Sequence, residues 1–286
     1  GLTASLGTFL YLADNRDSFT GRVSLAAVSD EETGGEWGTE YLVKNHPEYT
    51  GDAVISGEPS SNGIIRFAER GRSWTEITVR GESAHTCSVP RGLSAIDELT
   101  TILEEVKAIP DDESFHTVPD REREIILDSQ EQMDAAYGEG ATERILIPRV
   151  NVGVIDGGEK VNLVAEEARA EVDIRLPIGS TTAQALERVE EIASNSPAEV
   201  SIDGFSRKDP SYSDVDDPIF EHVQTAAGRV RDGKTPALSC ALAGTDCAFY
   251  RDVGVPCAVY GPTPYNLGSQ NEYIEVDDFE EVLVSQ

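Results

Sequence analysis

Apolar residues fall at helical spacing over Leu2–Asp14, with Leu2, Leu6, Phe9 and Leu10 on one face, which predicts an opening helix. The run Val23–Val28 (VSLAAV) is apolar without alternation and predicts a short buried strand. Thr33-Gly34-Gly35 predicts a turn, and a helix follows from about Glu36 to Asn45. Asp52–Pro59 repeats the theme: a short apolar strand that ends on Glu58, with Pro59 preventing a regular continuation.

The texture changes near Gly71. Trp74–Arg80 alternates apolar and polar residues, as a half-exposed antiparallel strand does. A helix is predicted over Ser94–Ala108, with Ile96, Leu99, Ile102, Leu103 and Val106 on one side. Pro110–Arg144 is polar and charged and reads as an irregular excursion with some helix. Val150–Ile155 and Val161–Leu176 predict strands joined by the turn Asp156-Gly157-Gly158-Glu159. A helix over Thr181–Ala193 and a strand over Glu199–Phe205 complete the order βαββαβ, the split βαβ pattern of a small sheet with helices on one face. Beyond Asp214 the first style returns, with a helix over Pro218–Val230, a buried strand over Gly254–Tyr260, the irregular loop Gly261–Pro264, and a last helix around Phe279, Val282 and Leu283 that Asp277 or Asp278 caps. The fold class is therefore α/β, with a ferredoxin-like βαββαβ domain at 71–206 inserted into a first domain made of 1–70 and 207–286.

Charge narrows the function classes. Fifty-three acids against 23 bases give a net charge of −30 over 286 residues. The acids are spread along the chain, which keeps a protein hydrated where salt screens repulsion and destabilises it where salt is low. This predicts a salt-adapted, haloarchaeal source. It argues against nucleic acid and membrane as partners, because nothing offsets phosphate charge, and it suits cations. No run is long and apolar enough to span a bilayer, and no signal peptide is visible, so the expected location is cytoplasmic. Cys87, Cys240, Cys247 and Cys257 form no CxxC pair; the expectation is reduced, buried thiols and no structural zinc site.

Candidate chemistry sits at strand ends. Asp30-Glu31-Glu32 follows Val23–Val28, and Glu58 follows the next strand. Functional groups in α/β sheets gather beyond the carboxyl ends of strands, and adjacent carboxylates repel unless a cation or shared proton offsets them. One could bind a metal while its neighbour moves a proton; the alternative is an acidic, solvated turn. His85, taken alone, reads first as a loop histidine bonded to nearby backbone. The chain opens without methionine inside one helix and stops inside another, which predicts a fragment cut at both ends.

The motifs in order resemble the M20 metallopeptidases and amidohydrolases. They are SDEETGG (Ser29–Gly35), ISGEPS (Ile55–Ser60), RG (Arg70–Gly71), VRGESAH (Val79–His85), GLSAIDEL (Gly92–Leu99), NVGVIDGGEKVN (Asn151–Asn162), EVDIRLP (Glu171–Pro177), GTD (Gly244–Asp246) and YGPTPYNLGSQNEY (Tyr260–Tyr273). The resemblance implies a zinc-peptidase-like α/β catalytic domain with an inserted lid and dimerisation domain. It implies hydrolysis of the amide bond of an N-acyl amino acid or small peptide, in the manner of acetylornithine deacetylase or succinyl-diaminopimelate desuccinylase. By motif, Glu31 resembles the general base, Glu32 and Glu58 resemble zinc ligands, and His85 resembles the lid histidine that stabilises an oxyanion in the partner subunit's site. Asn162 and Arg175 resemble lid residues that hold the substrate's carboxylate or acyl oxygen, with strand pairing and an ion pair as their alternative reading. Asp246 is read as a brace for its loop rather than a ligand. The implied cofactor is Zn2+, two per subunit, with Co2+ as an alternative, and the implied partners are the small substrate and a second copy of the chain.

Two departures from the family qualify this. Its first metal histidine and bridging aspartate lie upstream of the helix that opens this chain, and its C-terminal metal histidine has no counterpart near Gly268-Ser269. A non-catalytic relative that keeps the fold and dimer but has lost a complete metal centre is the competing expectation.

Overall fold

The computed structural model describes residues 1–88 and 92–286. The helices in chain order are α1 (Leu2–Asp14), α2 (Thr39–Asn45), α3 (Ala95–Lys107), α4 (Asp120–Asp128), α5 (Gln130–Tyr137), α6 (Ala141–Leu146), α7 (Thr182–Ala193), α8 (Pro218–Val230), α9 (Cys247–Asp252) and α10 (Val276–Ser285). The strands are β1 (Val54–Ser56), β2 (Ile64–Glu69), β3 (Gly71–Arg80), β4 (Arg149–Gly157), β5 (Glu167–Leu176), β6 (Glu199–Lys208), β7 (Ser211–Tyr212), β8 (Ala237–Ala241) and β9 (Cys257–Val259). The chain divides into two units. The first holds Gly1–Glu69, Asp120–Glu143 and Ser211–Gln286; the second holds Arg70–Pro119 and Arg144–Pro210.

The first unit is built on a mixed sheet in the order β1-β9-β2-β7, with β8 joined to β2. β1 and β9 run parallel, Val54 opposite Cys257. β2 is the centre, parallel to β8 and antiparallel to β7 and β9. All six of its residues are buried. Arg66 and Glu69 interrupt its apolar pattern.

Two expectations for this unit are corrected. Val23–Val28 forms no strand and pairs with none among the described residues, and Val23 and Val28 are exposed. A strand exists only where a neighbour takes its backbone groups; here the segment and β1 line one cavity instead. Residues 120–143, expected within the 71–206 insert, pack in the first unit. The α4–α5 hairpin buries Ile126 and Met133, α4 packs on β8, and Ser129 Oγ donates to Ser239 Oγ at 2.8 Å. In α1 the buried position is Ala4, while Leu2, Leu6 and Leu10 are exposed. Small residues allow the helix to approach α10, where Thr8 Oγ1 donates to the carbonyl of Leu283.

The second unit is an antiparallel sheet in the order β4-β5-β3-β6. α3 and α7 bury Leu99, Ile102, Leu103, Val106, Val189 and Ile192 against Ile77, Val79, Val172 and Ile174 on one face. Both helix starts are fixed locally. Ser94 caps α3 by accepting from Asp97 N, and Thr181 and Gln184 form a reciprocal capping box on α7. β5 begins at Glu167, not Val161, which is fully exposed.

The cysteine expectation also changes. Cys247 and Cys257 form a disulfide with Cα atoms 5.8 Å apart, because the start of α9 lies against β9. Among the described residues, no helix is long and apolar enough to cross a membrane.

Candidate active site

The acidic turn after Val28 is tightly knit. Asp30 takes the left-handed region at φ 66° and starts a single 3-10 turn over Glu31–Thr33. Thr33 N and Gly35 N both donate to the Asp30 carbonyl, at 3.0 and 2.9 Å, and Asp30 Oδ2 accepts from Trp37 N at 2.8 Å. Gly35 is required here. Its φ is +73°, and a Cβ would stand 2.6 Å from Asp246 Oδ1 and 2.8 Å from the Phe249 ring.

Asp246, just before α9, reaches this turn and accepts from Thr39 Oγ1 at 2.5 Å. It is held in turn from the sheet. Glu69, the last residue of β2, accepts from Thr245 N at 3.1 Å, Thr245 Oγ1 at 2.7 Å and Arg251 at 3.2 Å. Glu69 and Arg251 are both buried. Asp246 thereby sits against the turn that carries Glu31. Thr39, Glu69 and Arg251 were missed in the sequence; for Glu69 an acid ending an apolar segment was the available signal.

Glu31, Glu58, Thr39 and Asp246 line one cavity of about 850 Å3 within the first unit. Burial pushes Glu31 up to about 7, and the charges of Glu58, Asp246, Glu32 and Glu69 add to it. Burial likewise raises Glu58, with Asp246 adding and Arg66 opposing. Burial raises Asp246 against the hydrogen bond from Thr39. The structure therefore brings Glu31 and Glu58 together and joins Asp246 to them, while Glu32 stays exposed on the same turn.

These residues offer hard oxygen donors in excess negative charge, and Asp30 Oδ1 is buried without a hydrogen-bond partner. That chemistry fits a divalent cation. Among the described residues, however, no three His, Cys, Asp or Glu side chains stand close enough together to hold a metal ion. The donor types fit the implied metal, and the coordination shell is not complete.

In the second unit, His85 and Asn162 come together. His85 forms an isolated bridge with Leu163, and Thr86 N donates to the Asn162 carbonyl at 3.2 Å. His85 Nδ1 accepts from Cys87 N at 3.3 Å, and Nε2 lies 3.4 Å from Asn162 Nδ2. Accepting at Nδ1 leaves the proton of a neutral ring on Nε2. The backbone is close-packed at this loop; a Cβ on Gly81 would fall 2.0 Å from the Leu93 carbonyl oxygen. Arg175 is not with them. It pairs with Arg72 at one end of the sheet, eight positions from the Arg80–Glu167 pair at the other, which is about 26 Å at the rise of a strand. Its Nε donates to Asp173 at 3.0 Å, the ion pair of its alternative reading.

Residues 67–201 match the model of the peptidase dimerisation domain of the M20 type. The match covers β3 to β5 with α3 and α7, and ends within β6. Over 97% of its length the chain is similar, at 24% identity, to a probable succinyl-diaminopimelate desuccinylase of Staphylococcus epidermidis, of which it covers 69%. Among solved structures it is similar to a tripeptidase from Staphylococcus aureus, with a TM-score of 0.74 and 16% identity over 99% of this chain and 67% of that one. A metallo-carboxypeptidase of the M20 family from Sulfolobus solfataricus gives a TM-score of 0.71 at 18% identity, over 99% of this chain and 73% of that one. The M20 fold therefore extends beyond the dimerisation domain, and the chain spans about two-thirds of the length of these proteins. All three are named as hydrolases, which leaves the non-catalytic alternative without support.

Proposed function

We propose that the whole protein hydrolyses the amide bond of an N-acyl amino acid or small peptide with a bound divalent metal. The observation that carries this reading is the half-buried Glu31, facing Glu58 and Asp246 across one cavity, in a chain related to a desuccinylase along nearly its whole length. Glu32 and Glu58 would hold the metal, zinc first and cobalt as the alternative, two ions per subunit on the family pattern. A metal bound there supplies polarisation of the carbonyl and a more acidic water. Glu31, with its affinity for a proton near neutrality, takes the proton of the attacking water and hands it to the leaving nitrogen. His85 donates a hydrogen bond to the developing oxyanion in the partner subunit's site. Asn162 holds an acyl or carboxylate oxygen beside His85; Arg175, at the other end of the sheet and bonded to Asp173, is left out of that subsite. The dimerisation domain supports a homodimer, and the proposed location is the cytoplasm.

The test is release of acetate or succinate from N-acetyl and N-succinyl amino acids, or cleavage of dipeptides, by the whole protein with Zn2+ or Co2+. Glu31→Gln should lower kcat by about 10²-fold or more, and Glu32→Ala and Glu58→Ala should weaken metal binding. Cleavage of none of these amides, or full activity in Glu31→Gln, would overturn the reading.

A further inference from the structure

The disulfide between Cys247 and Cys257 stands in the wall of the candidate site. Cys247 is the first residue of α9 and directly follows Asp246. Cys257 opens β9, opposite Val54 on β1. Both cysteines are buried, in one apolar cluster with Val43 of α2, and Leu42 and Val54 pack against it. The bond therefore joins the helix that follows Asp246 to the strand beside β1, and α2 rests on the same cluster.

The turn that carries Glu31 leans on the residues around Cys247. A Cβ on Gly35 would fall 2.6 Å from Asp246 Oδ1 and 2.8 Å from the Phe249 ring, so the turn packs on the residue before Cys247 and the second residue after it. Thr39 Oγ1, at the start of α2, donates to Asp246 Oδ2 at 2.5 Å. α9 has only six residues, and so short a helix does not persist by itself. Its place depends on its anchors, which are the bonds of Thr245 and Arg251 to Glu69 and the disulfide. Two thiols need more room than one S–S bond, and buried side chains leave little to spare. After reduction the sulfurs separate only if α9 shifts against β9, and Asp246 shifts with it.

We infer that the Cys247–Cys257 pair is a thiol-exchange site: a low-molecular-weight thiol entering the cavity opens the disulfide and loosens the turn that carries Glu31. Cys247 lines the cavity, so the thiolate attacks the Cys247 sulfur. The S–S bond breaks, a mixed disulfide forms on Cys247, and Cys257 leaves as a thiolate that takes a proton. A second thiol attacks the mixed disulfide at the sulfur of the small thiol, and Cys247 leaves and is protonated in turn. The protein gains two electrons and two protons, and the two small thiols become one disulfide. In the proposed cytoplasmic location thiols work against such bonds, and those that do form there are chiefly transient or redox-sensing. The effect on turnover rests on the proposed hydrolysis; the exchange at the cysteines and the loosening of the turn do not.

The experiment compares the whole protein after oxidation with glutathione disulfide and after reduction with excess reduced glutathione, in metal-free buffer. Alkylation and peptide mass mapping should find Cys247 and Cys257 linked in the first state and alkylated in the second. Amide exchange at Thr33 and Gly35, which both donate to the Asp30 carbonyl, should be about tenfold faster in the reduced state, with α7 unchanged. Cys257→Ser should exchange as the reduced wild type does and ignore the thiol; the two states of the wild type decide the matter without it if that variant does not fold. The site is overturned if the two cysteines are not linked after oxidation, if the thiol leaves them linked, if exchange at Thr33 and Gly35 is equal in the two states, or if folded Cys257→Ser still responds to the thiol. In a kinetic arm with metal restored, reduction should lower kcat by about tenfold or more and reoxidation should restore it; equal kcat beside unequal amide exchange would overturn the effect on turnover. If the protein cleaves no amide, the hydrolase reading fails while mapping and amide exchange still decide the thiol site.

Discussion

Ionising Glu31 places a negative charge in a half-buried turn that already faces Glu58 and Asp246. Its folded-state pKa of about 7 lies above the 4.5 of an ordinary glutamate. The folded state therefore holds a proton that the unfolded state releases between those values. The contribution to stability is fully present below about pH 4.5 and is lost as pH rises through 7. In metal-free buffer, Glu31→Gln should match the wild type in acid and exceed it at pH 8 by about 1–2 kcal/mol, a figure discounted for the exposed part of the group. Urea unfolding at the two pH values checks this, and a wild type more stable than the variant at pH 8 would contradict it. The carboxylates themselves were legible in the sequence, because strand ends and motif order mark Glu31, Glu32 and Glu58. The meeting of Glu31 with Asp246 was not, since it joins positions more than 200 residues apart through Thr39 and Gly35. Nor does spacing reveal that His85 lies by Asn162 while Arg175 lies at the far end of the sheet.

Among the elements, β2 and α9 share the heaviest polar commitment. Glu69 and Arg251 are an ion pair almost wholly withdrawn from water, and Thr245 completes it. Removing one partner leaves the other charge buried and uncompensated, which costs about 3–5 kcal/mol. Glu69→Ala should lower the unfolding free energy by that amount in a urea titration; a change below 1 kcal/mol would mean that water or another group replaces the carboxylate. The same burial explains what pattern reading missed. A strand buried on both faces shows no alternation, and Arg66 and Glu69 break the apolar run that would otherwise announce β2. β8 was passed over too, as a short run beside a loop. Helices α3, α7 and α8 were legible because periodicity and local caps agree: Ser94 on Asp97, Thr181 on Gln184, and Asp217 before Pro218. Val23–Val28 failed as a strand because pairing depends on a partner, which no local pattern supplies.

The whole molecule carries 30 more acids than bases, and this sets how it responds to salt. Ion pairs such as Arg80–Glu167 and Arg121–Asp214 are half-exposed or more, where each contributes little. They cannot offset repulsion summed over the entire surface. The screening length falls from about 30 Å at 0.01 M salt to about 3 Å at 1 M, so at low salt each carboxylate feels many others and at high salt only its neighbours. The folded chain concentrates that charge more than the unfolded one, and added salt should stabilise it. We expect Tm at pH 7 to rise between 0.05 and 1 M KCl by roughly 5 °C or more, equivalent to about 2 kcal/mol for a chain of this size. Choline chloride at the same ionic strength should give the same shift, because screening does not depend on which cation is present. A shift seen with potassium alone would point to bound cations rather than screening, and a flat or falling Tm would show that the acidic surface does not burden the fold.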